Sequence, residues 1–97
     1  MPLSLPFAYL VSYDLKNSPY TYIPLMKELR NSYKWWHYID STWLVLRYES
    51  LAELQEKLVP LVFTTDQLLI MPAKGPAMGW LPKEAWAWVN QNVPKMW

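Results

Sequence analysis

Tyr9-Leu10-Val11-Ser12-Tyr13-Asp14 decides the fold. It is a run of β-branched and aromatic residues that suits a strand, and it closes on a carboxylate. Pro6, just before Phe7, fits the entry to such a strand, where a missing N–H costs no ladder hydrogen bond. Everything downstream is read as packing on this strand or as bringing a polar group to the end where Asp14 stands.

After a turn at Asn17-Ser18-Pro19, the residues Tyr22, Leu25, Met26, Leu29 and Tyr33 recur at helical spacing, with Lys27, Glu28 and Arg30 on the watery side. Thr21 is the expected N-cap, which puts Pro24 in the first turn, where its lack of an N–H is harmless. Lys34 to Ile39 and Thr42 to Tyr48 are two strand-like runs separated by Asp40-Ser41, a tight-hairpin pattern. Strict alternation puts Trp35, His37 and Ile39 on one face and Trp36 and Tyr38 on the other. In the second run Trp43 and Val45 oppose Leu44 and Leu46.

Ser50-Leu51-Ala52-Glu53 is a capping box that opens a second helix, with Leu51, Leu54 and Leu58 as its buried stripe. Pro60 stops that helix or kinks it sharply. Gln67 to Met71 is a short fourth strand, preceded by Thr64-Thr65-Asp66. A linker holding both glycines, Gly75 and Gly79, leads to a last helix from Pro82 to about Gln91, apolar at Ala85, Trp86, Trp88 and Val89.

The order strand, helix, strand, strand, helix, strand predicts an α+β ferredoxin-like βαββαβ sandwich with an added C-terminal helix. Its strands are expected in the spatial order 4-1-3-2, with the first two helices on one face of the sheet. A single domain is expected over residues 1–97, with a core at about 7–71 and a tail at 72–97. The chain has 97 residues, enough for one two-layer core without staples. Seven Trp and seven Tyr exceed what one such core encloses, so a second copy is expected to bury the sheet face away from the helices. The tail is expected to pack on its own subunit or to cross to the partner.

Other classes are set aside by composition. There is no Cys, hence no disulfide framework or thiolate metal site, in keeping with a cytoplasmic setting. Met1 to Phe7 lacks the basic region of a leader and is broken by Pro2 and Pro6. The apolar run from Leu58 to Phe63 is too short to span a bilayer, so no membrane partner is expected. A net charge of +1 gives no bulk attraction for nucleic acid.

The expected topology collects polar groups at one sheet edge. Strands 1 and 2 end there and strands 3 and 4 begin there, which gathers Asp14, Asp40, Ser41 and Asp66. Clustered carboxylates repel unless a cation neutralises them. Mg2+ or Mn2+ held by Asp14, Asp40 and Asp66 would suit phosphodiester hydrolysis by a metal-activated water. Turn formation is the plainer explanation of Asp40 and Asp66. His37, the one histidine, stands three residues before Asp40, roughly 10 Å away at strand rise, beyond bonding reach of that edge. The aromatic row Trp35, Trp36, Tyr38 and Trp43 suits base stacking or plain packing. Lys16, Lys27, Arg30, Lys34 and Arg47 form a thin basic set for phosphates or a solvated face.

Tyr13-Asp14 ending strand 1, the approach Trp35-Trp36-His37 to Asp40-Ser41-Thr42-Trp43, and the closing Gly79-Trp80-Leu81-Pro82 together resemble a known group. They are similar to the small CRISPR-associated ferredoxin-like proteins of spacer acquisition, to the virulence-associated protein D ribonucleases and, most of all, to the SinR-family proteins. The resemblance implies a homodimer with sheets face to face. It also implies that Asp14 is a divalent-metal ligand for cleavage of RNA or DNA, and that Ser41 is the serine opening strand 3. A partner protein from a defence system would fit the same group. After Asp14 the segment Leu15-Lys16-Asn17 lacks the arginines of the CRISPR-associated members, which argues against a grip on duplex DNA. The competing expectation is a non-catalytic homodimeric scaffold or toxin–antitoxin module. A regulatory domain for a small ligand is a third, unsupported by any glycine-rich phosphate loop.

Overall fold

In the computed structural model, which describes residues 5–95, the strand Phe7–Asp14 (β1) lies at the centre of a four-stranded antiparallel sheet. Its neighbours are β3 (Thr42–Arg47) on one side and β4 (Gln67–Pro72) on the other, and β2 (Lys34–Ile39) pairs only with β3. The order is therefore β2-β3-β1-β4. Residues 1–4, 96 and 97, which belong to the expected N-terminal stretch and tail, lie outside the described residues.

The register explains the burial. Val11 pairs with Trp43 on one side and Ile70 on the other, so one face carries Tyr9, Val11, Trp43 and Val45. Two helices, α1 (Ile23–Arg30) and α2 (Leu51–Leu58), close this face with Leu25, Leu29, Leu54 and Leu58, all fully buried. The capping box forms as the sequence predicts. Ser50 Oγ accepts from the Glu53 amide, and the Glu53 carboxylate accepts from the Ser50 amide. Leu51 faces outward, at the opening of the helix, so the buried stripe is Leu54 and Leu58 alone. Pro60 falls in a 3-10 turn at Val59–Leu61 that ends α2.

The start of α1 differs from the expectation. Thr21 lies in a 3-10 turn, Pro19–Tyr22, and the N-cap is Tyr22, whose side chain makes no capping bond. Pro24 still falls in the first turn. The helix ends at Arg30, so Tyr33 leaves the stripe and is exposed.

A third helix, α3 (Lys83–Asn92), packs on the opposite sheet face. Ala85 and Val89 meet Trp36, with Leu44, Leu81 and Trp86 around them, and the Trp36 indole donates to the Ala85 carbonyl at 3.2 Å. The tail thus covers part of its own chain's second face. Leu69 and Met71 of β4, Ile39 of β2 and Met78 of the linker remain exposed.

Strict alternation fails in β2. Trp35 and Trp36 pair with Val45 and Leu44, but Ile39 pairs with Thr42, so an extra residue is accommodated between Trp36 and Ile39. Such a bulge shifts the phase of the pleat. Ile39 accordingly joins Trp36 and Leu44, opposite to the face its spacing assigns.

Candidate active site at the end of β1

The hairpin and β1 are tied at the edge where Asp14, Asp40 and Ser41 stand. The Tyr13 amide donates to the Ser41 carbonyl at 3.0 Å, and Ser12 and Thr42 hydroxyls meet at 3.1 Å. These bonds set Ser41 beside the exit of β1. An open cleft of about 390 Å³ forms there, bordered by Tyr13, Asp14, Asn17, Met26, Asp40 and Ser41.

Asp14 is exposed and carries a partner. Lys16 Nζ lies 2.7 Å from its carboxylate, and both side chains are more than half exposed. That hydrogen bond, and the negative field of Asp14 and Asp66, raise the Lys16 pKa despite some desolvation. A pair this exposed is held weakly and is screened by salt.

Asp66 does not join the cleft. Its carboxylate accepts the Tyr22 hydroxyl at 2.7 Å, the Lys16 amide at 2.8 Å and the Phe63 amide at 2.8 Å. Desolvation opposes its charge, yet these donors together hold the Asp66 carboxyl below its usual range. It staples the loop after β1 to the loop before β4, through a tyrosine that is 1% exposed. Of the three carboxylates expected as metal ligands, Asp14 and Asp40 border the cleft and Asp66 does not. Among the described residues no three His, Cys, Asp or Glu side chains come together as metal ligands.

His37 reaches further than strand arithmetic allows. Its Nε2 lies 2.8 Å from the Asp40 carbonyl oxygen, and its ring stacks on Trp43 with centroids 4.0 Å apart. A bond to a carbonyl requires that Nε2 carry the proton. The bulge shortens the path from His37 to Asp40, which is why the roughly 10 Å estimate for an unbroken strand fails. Trp43 in turn donates its indole N–H to the Tyr13 hydroxyl at 3.0 Å, and that hydroxyl donates to the Asp40 carbonyl at 3.2 Å. Burial pushes the Tyr13 phenol up, against the Trp43 hydrogen bond that lowers it. The turn bearing Asp40 and Ser41 is thus held by two side chains, Tyr13 and His37. Neither role is legible in the sequence, since the partners meet only through space.

The basic set also divides. Arg47 is 4% exposed and donates to Glu28 and Glu49 carboxylates, each at 2.7 Å, and to Ser32 Oγ and the Glu28 carbonyl. It has no donor left for a phosphate. Of the aromatic row, Trp36 and Trp43 are buried, while Trp35 and Tyr38 stay half exposed.

Comparison with protein-family models, curated proteins and solved structures yields no match. Among the described residues no helix is long and apolar enough to cross a membrane.

Proposed function

We propose that the chain is a ferredoxin-like homodimer of the CRISPR-associated and virulence-associated protein D type, which binds RNA or DNA at the end of β1 and cleaves it with Mg2+ or Mn2+. The observation that supports this is the single cleft bordered by Asp14, Asp40 and Ser41. Two carboxylates and a hydroxyl are hard oxygen donors, and Mg2+ is bound with one or two carboxylates, waters and substrate phosphate. Bound there, the ion supplies a water of lowered pKa and neutralises phosphate charge. Asp14 and Asp40 hold negative charge at the cleft. Lys16, once released from Asp14, presents an ammonium to a phosphate oxygen. Ser41 offers a hydroxyl donor to the same group, and Tyr13 with His37 keeps the Asp40-Ser41 turn in place. The uncovered part of the second sheet face, with Leu69 and Met71, is the surface we assign to the second copy.

A non-catalytic dimeric scaffold in a defence or toxin–antitoxin system is the second reading. It is favoured by the Lys16 ammonium that already neutralises Asp14. One experiment separates the two: cleavage of labelled RNA and DNA by the parent and by Asp14→Asn, with and without Mg2+ or Mn2+. The nuclease reading expects metal-dependent cleavage that Asp14→Asn lowers by orders of magnitude, because the water-activating ligand set is lost. A parent inactive on every substrate and metal leaves the scaffold.

A further inference from the structure

At the far end of β2 from the cleft stands a second polar and aromatic cluster, open to solvent on its outer side. Tyr33, Trp35 and Tyr48 are 61%, 42% and 52% exposed. Tyr33 and Tyr48 pack edge to face with centroids 5.7 Å apart, and Lys34 Nζ lies 5.9 Å over the Tyr33 ring. Trp35 is braced from behind by Trp43, centroids 5.3 Å apart, so its ring is held rather than loose. Lys27 and Arg30 stand in the last turn of α1, a few residues upstream, around a shallow dish that also includes Asn31. The one carboxylate on that dish, Glu28, is engaged by Arg47, as is nearby Glu49. Among the described residues no ion pair engages Lys27, Arg30 or Lys34. Three of the chain's nine basic residues, Lys27, Arg30 and Lys34, thus fall within a span of eight residues that also holds Tyr33.

We infer that this corner is a single-strand nucleic-acid grip, with bases stacked on Tyr33, Tyr48 and Trp35 and phosphates met by Lys27, Arg30 and Lys34. It rests on the nucleic-acid reading above and names the form of the substrate. Exposed aromatic faces beside cations are what unpaired bases and their backbone require, since every base presents a π-face. Bases inside a duplex are already stacked on one another and do not reach such rings. The grip also lies on a route to the cleft. β2 has six residues, roughly 20 Å at strand rise, and runs from Lys34 to the Asp40-Ser41 turn. The half-exposed Tyr38 lies along that course. A strand held at Tyr33 would follow the free edge of the sheet and deliver a phosphodiester to Asp14.

The test is fluorescence anisotropy of the full chain with a labelled 12-nucleotide RNA, the matching DNA strand and their duplexes, in EDTA so that no cleavage occurs. Single strands are expected to bind, with duplexes at least tenfold weaker. Tyr33→Ala should weaken binding at least about fivefold through lost stacking. The slope of log K against log salt should be near −2 for three phosphates, and Lys34→Ala should reduce it by about 0.7. Circular dichroism confirms that both exposed-site variants fold. Equal binding of duplex, parent-like binding by both variants, or no binding by the parent each overturns the inference. Binding that persists without cleavage under any metal removes the nuclease reading and leaves the grip. Cleavage without the predicted variant effects does the reverse.

Discussion

The two ends of the sheet handle charge in opposite ways. At the end of β3, Arg47 is buried with every guanidinium N–H directed at an acceptor, and Glu28 and Glu49 close around it. At the end of β1, Asp14 and Lys16 meet in open solvent. The first cluster joins the C-terminus of α1 to the loop before α2, so its charges are committed to the fold. The second is exposed on both sides and open to screening by salt, so it commits little to the fold. A charge pair seen in a structure therefore says little until its burial and its remaining donors are counted.

The widest gap between the two ends should appear on mutation. Arg47→Ala leaves two part-buried carboxylates facing each other and should cost about 3–5 kcal/mol, read as a lowered urea midpoint. If it costs no more than a surface substitution, the contrast fails. Next comes Tyr22→Phe, which removes the buried hydroxyl that Asp66 accepts. A hydrogen bond to a charged group is worth about 1.5–3 kcal/mol, so an intermediate loss is expected by the same measurement.

Acid sharpens the comparison further. Hydrogen bonds from Arg47 hold the Glu49 carboxyl near 2, from an ordinary 4.5, against an opposing contribution from desolvation. A depressed folded pKa means stability that is complete above about 4.5 and is lost as pH falls through about 2. Stability measured across that window should decline in the parent and decline less in an Arg47→Met variant. The smallest effect on stability belongs to Asp14→Asn, whose melting temperature should match the parent's even where its activity does not. A large destabilisation by Asp14→Asn would make Asp14 a structural residue and end the contrast.

Much of this arrangement is legible along the chain because it is local. The apolar run of β1, the Ser50–Glu53 capping box, the stop at Pro60 and the Asp40-Ser41 turn each follow from neighbours within a few residues. What depends on partners far along the chain is not legible. Arg47 reads as one more cation until Glu28, nineteen positions away, closes on it. Asp66 reads as a possible ligand until Tyr22 donates to it across forty-four positions. The bulge in β2 also hides, since it lies in a run of aromatics with no glycine to mark it. With it go the face of Ile39 and the reach of His37.

That same irregularity governs how the rim of the sheet meets other chains. β2 is an outermost strand, and an outermost strand is a template on which further strands can add. Here the regular pairing runs only from Lys34 to Trp36 before it slips. An incoming strand would find three residues in step and then lose its register. On this edge the broken template disfavours strand addition, whereas β4, the other outermost strand, keeps step with β1 from Gln67 to Pro72 and offers the longer template.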